Sequence, residues 1–259
     1  MENTLLRVEN LSKRFGGVEA VAGVSFHVER GEIYSLIGPN GAGKTSTFNM
    51  ISSVVRPSGG TVHFDGRDIT GIAPHRLSAA GIGRTFQNLA VFKHATVVQN
   101  LLVGRHCHMR TNVFDAAWFF GRARREELAH RRKVEEIIDF LEIEDIRDKP
   151  VGALSYGMQK RVELGRALAT EPKLLLLDEM VSGMNTEETE DIARFILDIR
   201  DELGITVLMV EHDMGIVMDI SDRICVLNFG RKIAEGSPAD ISTNPTVIDA
   251  YLGGAKAAA

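Results

Sequence analysis

The sequence predicts an α/β fold built around a mainly parallel β-sheet. Two apolar strand-like runs, residues 173–178 and 205–210, lie on either side of one helical segment. That segment carries apolar residues at helical spacing, namely Ile192, Phe195, Ile196 and Ile199. A strand, a helix and a second strand in this order are typical of a parallel sheet covered on both faces. A third apolar run, residues 32–37, reads as another buried strand and ends at a glycine-rich loop.

The remaining strands follow from alternation and turn residues. Residues 24–28 alternate apolar and polar side chains, which indicates a half-buried strand. Residues 61–64 precede Asp65-Gly66, a pair that favours a tight turn. Residues 223–227 and 232–234 are separated by Asn228-Phe229-Gly230 and predict a hairpin.

The middle of the chain is predicted to be helical. Val134, Ile137, Ile138 and Leu141 repeat at i, i+3, i+4 and i+7, the spacing of a buried helical stripe. Most of residues 97–141 lacks strand-like alternation, and Pro150 and Gly152 end the region. We therefore expect a helical subdomain in this part of the chain.

Composition narrows the class of protein. A net charge of −5 disfavours binding of nucleic acid over the whole surface. Cys107 and Cys225 are too few for a disulfide scaffold, which favours a reducing compartment. The longest apolar run has five residues, far short of the roughly 18 that a membrane-spanning helix needs. With no signal-like start at the N-terminus, these features predict a soluble, cytoplasmic chain.

The glycine-rich loop carries a phosphate-binding motif. Residues 38–45 fit the pattern Gly-x4-Gly-Lys-Ser/Thr without a mismatch. Glycines let the backbone curl so that N–H groups point at phosphate oxygens, and the next helix, predicted over residues 46–54, adds its N-terminal partial charge. The candidate phosphate-binding residues are Gly38, Pro39, Asn40, Gly41, Ala42, Gly43, Lys44, Thr45 and Ser46. Lys44 is expected to reach the β- and γ-phosphates, and the Thr45 hydroxyl to ligate Mg²⁺.

Two carboxylates end the strand over residues 173–178. Asp178 and Glu179 follow four consecutive leucines, and ligands bind at the carboxyl edge of open α/β sheets. With a phosphate loop in the same chain, Asp178 is expected to hold Mg²⁺. Glu179 is expected to orient and polarise the attacking water as a general base.

The order of the motifs resembles the ATP-binding cassette (ABC) ATPases over essentially the whole chain. After the phosphate loop, residues 83–87 match the family's glutamine loop, and residues 154–159 match its Leu-Ser-Gly-Gly-Gln signature. Residues 182–185 lie where the D-loop belongs, and residues 211–213 match the switch-histidine motif. Phe15 occupies the place of the aromatic residue that stacks on adenine.

The resemblance implies a fold, two cofactors and a role for each residue of the motifs. It implies a single P-loop ABC ATPase domain over residues 5–252, with an antiparallel β subdomain, a helical subdomain inserted at about 95–165 and a C-terminal extension over residues 230–256. ATP and Mg²⁺ are the implied cofactors. Gln87 would touch Mg²⁺ and the γ-phosphate, and His212 would bond the γ-phosphate. Together with Lys44 and Glu179 they form the expected catalytic set.

The resemblance also implies that two cassettes act together. Ser155 is a good N-cap for the helix that begins in the signature, and its backbone amide could bind an anion. In the family this helix addresses ATP held by the other subunit's phosphate loop. Ser155, Gly157 and Asn185 are therefore expected to face the partner's ATP.

Three positions depart from the family pattern. Tyr156 replaces a signature glycine, Met158 replaces the glutamine, and Asn185 replaces the D-loop aspartate. Asn185 keeps the hydrogen-bonding shape without the charge. These changes leave open a slower site or a regulatory cassette that binds ATP without hydrolysing it.

Residues 156–159, 183–185 and 244–253 resemble the ATPases of branched-chain (hydrophobic) amino-acid importers, and the long middle segment is similar to that of the larger of the two ATPases in that system. The resemblance implies a peripheral subunit on the cytoplasmic face of the inner (plasma) membrane. Its implied partners are a second, slightly shorter ATPase, two transmembrane permease subunits and an extracytoplasmic solute-binding protein, without nucleic acid. A homodimer of cassettes stays open, as do related solutes and lipopolysaccharide export, whose ATPases have a similar size and tail.

One segment lies outside these motifs. Residues 105–133 carry eight basic side chains against three acidic ones and include the aromatic run Trp118-Phe119-Phe120. Such a segment is most often a helix with a solvated basic face. The alternative hypothesis is that it faces the permease and the anionic inner leaflet.

A soluble ABC ATPase acting on DNA or ribosomes is disfavoured. Such proteins usually contain two cassettes, long coiled-coil insertions or zinc-binding cysteines. This chain has one phosphate loop, no long heptad insertion and no Cys-x-x-Cys pair.

Overall fold

The structure is a computed structural model that describes residues 3–85, 89–109 and 122–256. The chain forms two compact units. Unit 1 comprises Met1–Leu77 and Leu176–Ala259, and unit 2 comprises Ser78–Leu175. The predicted helical insertion at about 95–165 falls within unit 2, which also takes in the residues on either side of it.

Unit 1 contains an antiparallel sheet with the strand order β2-β1-β4-β5. Its strands are β1 (Thr4–Phe15), β2 (Val18–Glu29), β4 (Gly59–Phe64) and β5 (Arg67–Asp68). The predicted alternation in β2 is confirmed, since Val24, Phe26 and Val28 are buried. Asp65 and Gly66 both have positive φ, at 49° and 76°, as the predicted tight turn between β4 and β5 requires.

The second sheet of unit 1 has the strand order β10-β9-β3-β8-β7. Its strands are β3 (Ile33–Ile37), β7 (Leu174–Asp178), which begins in unit 2, β8 (Thr206–Val210), β9 (Arg223–Asn228) and β10 (Arg231–Gly236). β3 pairs in parallel with β8 and β9, whereas β9 and β10 form the predicted antiparallel hairpin. β3, β7 and β8 are buried along their whole length, as expected for strands covered on both faces.

The remaining elements of unit 1 are helices. They are α1 (Lys44–Ile51), α2 (Pro74–Ala80), which runs into unit 2, α6 (Thr186–Asp201), α7 (Met214–Ile220), α8 (Pro238–Ser242) and α9 (Pro245–Lys256). The four buried residues of α6 are the predicted stripe, Ile192, Phe195, Ile196 and Ile199. α1 begins two residues before its predicted start because Gly43 serves as its N-cap.

Unit 2 is mainly helical. It contains β6 (Ile82–Arg84), α3 (Val97–Gly104), α4 (Arg122–Phe140) and α5 (Tyr156–Leu168), with short 3₁₀ turns at Arg105–His108, Glu144–Ile146 and Val151–Ala153. α3 and α5 pack closely because Gly104 has no side chain, and a Cβ there would lie 2.4 Å from the carbonyl oxygen of Arg166. The predicted apolar stripe of α4 is buried at Val134, Ile137 and Ile138.

A buried ion pair lies on the inner face of α5. Lys160 Nζ is 3.6 Å from Glu163 Oε2, and both side chains are fully buried. Glu163 also accepts the backbone N–H of Ala90 at 3.3 Å, and Arg166 donates to the carbonyl oxygen of Ala90 at 2.5 Å. Side chains of α5 thereby fix both backbone groups of Ala90, the third residue after Gln87 in the sequence.

Candidate functional site

The phosphate-binding loop of unit 1 follows β3 directly, as predicted. Its backbone takes conformations that favour glycine, with φ of 148° at Gly38, 80° at Gly41 and 96° at Gly43. Gly230 N donates to the carbonyl oxygen of Ala42 at 3.0 Å, so a hydrogen bond joins the β9–β10 turn to the loop. Among the described residues no side chain caps the first turn of α1. The N–H groups of that turn are therefore available to an anion.

Lys44 is buried at the start of α1 and is bonded within the loop. Its Nζ donates to the carbonyl oxygens of Gly38 at 2.6 Å and Pro39 at 3.1 Å. Burial lowers the pKa of Lys44, while the nearby charge of Glu179 acts in the opposite direction. An ammonium group held by two neutral carbonyls is poised to exchange them for phosphate oxygens, which are stronger acceptors.

Three candidate residues come together where β7 and β8 end. Asp178 is the last residue of β7 and is 1% exposed. Glu179 follows it, and its backbone N–H donates to the carbonyl oxygen of Val210, the last residue of β8, at 2.9 Å. His212 lies two residues after Val210, and its Nε2 is 2.9 Å from Glu179 Oε1. The sheet order places β8 between β3 and β7, so these residues lie at the same edge as the phosphate loop.

The Glu179 backbone is strained. Its φ of 49° lies in the left-handed region, which costs a non-glycine residue roughly 1–3 kcal/mol. Asp178 and Glu179 are adjacent, yet the first is buried while the second bonds the half-exposed imidazole of His212. The turn at Glu179 thus points the two carboxylates into different surroundings. The Asp178 carboxylate is suited to binding a metal ion, and the Glu179 carboxylate is suited to contacting a water molecule.

Glu211 belongs to the same site, although the sequence analysis gave it no role. It is 4% exposed and accepts the backbone N–H of Val181 at 3.2 Å. Burial raises the pKa of Glu211 to about 7. Backbone hydrogen bonds from Val181, Met180 and His212 act against this rise, and the charge of Glu179 adds to it. Glu211 therefore ties the segment after Glu179 to the end of β8.

The raised pKa of Glu211 predicts how stability depends on pH. Because the folded state binds this proton more tightly than the unfolded chain, the contribution of Glu211 to the free energy of unfolding should fall as pH rises from 4.5 to about 7. The decline should be about 3 kcal/mol in the nucleotide-free protein. Glu211→Gln is expected to flatten it, as measured by urea unfolding at several pH values. The control is Glu202→Gln, an exposed site. Equal declines in the two variants would contradict this assignment.

The magnesium site can be judged from its donors. Asp178 offers a buried carboxylate, and Thr45 offers an exposed hydroxyl on the first turn of α1. Among the described residues, no three His, Cys, Asp or Glu side chains form a group that could hold a metal ion. Magnesium is commonly bound through one or two carboxylates together with nucleotide phosphates. Asp178 and Thr45 fit that mode, whereas Gln87, the third predicted ligand, lies outside the described residues.

Phe15 ends β1 in unit 1 and is 50% exposed. The ammonium group of Lys13 lies 5.1 Å from the ring centre, which is a cation–π distance. Lys13 also donates to the carbonyl oxygen of Arg56 at 2.7 Å and is thereby fixed in place. A half-exposed ring next to a fixed cation suits the stacking of an electron-rich base.

The signature residues lie in unit 2. The predicted N-cap is confirmed, since Ser155 Oγ accepts the backbone N–H of Met158 at 3.3 Å. Gly157 is buried in the first turn of α5, and Tyr156 is exposed beside it. These residues stand at a helix N-terminus, where an anion is stabilised. Their role towards a partner's ATP stays a prediction.

Asn185 has a local role that the sequence analysis did not assign. Its Oδ1 accepts the backbone N–H of Glu188 at 2.9 Å, and Glu188 Oε2 accepts the backbone N–H of Asn185 at 3.3 Å. This is a capping box at the start of α6. Aspartate and asparagine are nearly equivalent N-caps, so the departure from the family pattern preserves this turn.

Part of the basic segment is described. Arg131 pairs with Glu127 at 2.8 Å and Lys133 with Glu136 at 2.9 Å, both on exposed faces of α4. These pairs favour the solvated-face interpretation for the end of the segment. Trp118-Phe119-Phe120 lie outside the described residues. In the part of the chain that the structure describes, no helix has the length and apolar character to cross a membrane.

Comparison with known proteins shows similarity along nearly the whole chain. Residues 21–182 match the ABC transporter family, and residues 231–257 match the family described as branched-chain amino acid ATP-binding cassette transporter. The high-affinity branched-chain amino acid transport ATP-binding proteins BraF of Pseudomonas aeruginosa and LivG of Escherichia coli K12 are 42% and 40% identical to it. Each alignment covers 98% of this chain and 99% of the relative.

A solved structure is similar over the same extent. The crystal structure of the ADP conformation of an ATP-binding cassette of an ABC transporter is 34% identical, with a TM-score of 0.84. The match covers 96% of this chain and 99% of the other. The predicted fold class is thereby confirmed.

Proposed function

This chain belongs to the ABC transporter family as an ATP-binding subunit, and on that premise we propose that it is the Mg²⁺-dependent ATPase of a branched-chain amino-acid importer. Family membership makes it an ATPase coupled to transport. The observation that supports the site is the meeting of the phosphate loop, Asp178, Glu179 and His212 at one edge of one sheet.

Each group of site residues has its own role in phosphoryl transfer to water. The loop amides and Lys44 bind the β- and γ-phosphates. Asp178, Thr45 and Gln87 would hold Mg²⁺, which would offset negative charge on the phosphates. Glu179 accepts a proton from the attacking water. His212 bonds the γ-phosphate when ATP is bound, and its contact with Glu179 in this structure keeps the two side chains next to each other.

The second cassette completes the site. Ser155 and Gly157 of one cassette, at the N-terminus of α5, bind the γ-phosphate of ATP on the other, and Asn185 lies at the same contact. ATP binding closes the pair and hydrolysis reopens it. The favoured pair is a heterodimer with a second ATPase, docked on two permease subunits at the cytoplasmic face of the inner membrane. The solute-binding protein is reached only through the permease.

Branched-chain amino acids are the solutes that best fit the comparisons. The two relatives named above carry that solute in their names, and the C-terminal residues match the corresponding family description. The test is uptake of labelled leucine by cells that lack this chain. Restoration by the parent chain but not by Glu179→Gln is expected. If cells that lack this chain took up leucine normally but were defective in lipopolysaccharide export, the chain would be the ATPase of the export system instead.

Stacking on Phe15 makes a separate prediction. Phe15→Ala should weaken ATP binding about tenfold, because stacking of a base on an aromatic ring contributes roughly 1–3 kcal/mol. Phe15→Trp should retain the affinity, and calorimetric titration measures both. Phe229→Ala is the control, since that ring is 85% exposed on the β9–β10 turn. Unchanged affinity in Phe15→Ala would exclude Phe15 from the adenine site.

A further inference from the structure

Glu211 lies directly after β8 and directly before His212, and its side chain points away from water. It is 4% exposed, and its Oε1 accepts the backbone N–H of Val181 at 3.2 Å. Val181 is also buried and lies two residues after Glu179. Removing the acceptor oxygen would therefore take a hydrogen bond from a backbone group that is out of contact with water.

The strained turn at Glu179 is fixed by two hydrogen bonds to the end of β8. The backbone N–H of Glu179 itself donates to the carbonyl oxygen of Val210 at 2.9 Å. Two residues later, the backbone N–H of Val181 donates to the side chain of Glu211. A non-glycine residue keeps a positive φ, here 49°, only where the surrounding structure fixes it. These two bonds provide such fixation on either side of the strained position.

The same turn determines where the Glu179 carboxylate points. Its Oε1 lies 2.9 Å from Nε2 of His212, the residue that follows Glu211 in the chain. The two chain segments are thus joined at two places. The side chains of Glu179 and His212 meet at one, and Glu211 holds the backbone of Val181 at the other. Breaking the second contact would let the turn relax towards an ordinary backbone conformation, and the Glu179 carboxylate would move with it.

We propose that Glu211 is a positioning residue for ATP hydrolysis, which keeps the Glu179 carboxylate aligned by holding the backbone of Val181. The inference rests on the proposed role of Glu179 as the general base. Because Glu211 acts through Glu179 and not through the phosphate loop, its loss should lower kcat and leave nucleotide affinity unchanged. A reacting group that is misplaced by about 1 Å can lower a rate by up to about 100-fold.

The test measures kcat, KM and the Kd of ATP for the full chain mixed with the proposed partner cassette. Glu211→Met keeps the length of the side chain and removes both oxygens. It should lower kcat about 10- to 100-fold and leave KM and Kd within about twofold. Glu211→Gln keeps an oxygen that can accept the Val181 N–H, so kcat should stay within about threefold of the parent value. Glu202→Met, the same change at an exposed site, should alter none of these values.

A double variant distinguishes positioning of Glu179 from a purely structural role. If Glu211 acts through Glu179, adding Glu211→Met to Glu179→Gln should not lower the residual rate further, because effects of residues that act as a unit are not additive. A further loss as large as that in the parent chain would overturn the inference. Tm is measured for every variant, and Glu211→Ala takes the place of Glu211→Met, with the same expected results, if the methionine variant does not fold.

The single variants separate this inference from the proposed function. If Glu179→Gln retained the parent kcat, the proposed role of Glu179 as general base would be wrong. If Glu179→Gln lost activity while Glu211→Met retained the parent kcat, the role of Glu179 would stand and positioning by Glu211 would be excluded. An equal loss of kcat in Glu211→Met and Glu211→Gln would also exclude it, because the acceptor oxygen would then not be what matters.

Discussion

Replacing Glu179 by glutamine is expected to reduce phosphate release by at least about 100-fold while ATP still binds. Glutamine keeps the size of the side chain and a hydrogen bond to His212, but it cannot accept a proton from water. General-base catalysis contributes roughly 10²–10⁴ to the rate. Phosphate release under saturating Mg-ATP measures the first effect, and calorimetric titration measures the second.

The matched control is Glu190→Gln, the same chemical change at an exposed position of α6. It should retain the parent rate. If Glu179→Gln hydrolysed ATP at a comparable rate, the general base would have to be another group. If the parent chain, mixed with the proposed partner cassette, bound ATP without releasing phosphate, the regulatory interpretation raised by Met158 and Asn185 would be favoured.

Replacing Gly38 by alanine should abolish ATP binding and destabilise the fold by about 3 kcal/mol or more. A Cβ at this position would lie 2.1 Å from the carbonyl oxygen of Leu227, so either the loop or β9 must move. Either movement disturbs the carbonyl oxygen that holds Lys44. Urea unfolding measures the stability loss, and calorimetric titration measures the loss of affinity.

Gly31→Ala separates backbone strain from steric contact. Gly31 lies two residues before β3, the strand that Gly38 follows. Its φ is 74°, and a Cβ there would meet nothing within 4 Å. The cost should therefore be that of the left-handed conformation alone, about 1–2 kcal/mol, with ATP binding intact. Equal effects of the two alanine variants would show that the backbone conformation, and not the contact with Leu227, is what excludes a side chain at position 38.

Much of unit 1 could be predicted because its signals are local. Alternation in β2, the buried residues of β3 and the turn at Asp65 depend on neighbours in the sequence. The phosphate motif predicts its own backbone shape, since glycine stands where φ is positive. The N-cap role of Ser155 followed from residue type and position in the same way.

The rest of the site depends on contacts between distant residues. Glu211 reads as a polar residue at a strand end, and only its burial among backbone N–H groups raises its pKa to about 7. Lys160 and Glu163 have the spacing of a solvated ion pair, yet they are fully buried. Gln87, to which the family pattern gives a catalytic role, lies outside the described residues.

The pairing of two cassettes around ATP is tested most directly by solution mass. Glu179→Gln protein is measured by light scattering with and without Mg-ATP, alone and mixed with the proposed second ATPase subunit. We expect the chain alone to stay near 28.4 kDa and the mixture to form a two-cassette species only with Mg-ATP. A shift of the chain alone would indicate a homodimer. Tight ATP binding with no change of mass in either sample would contradict the shared nucleotide site.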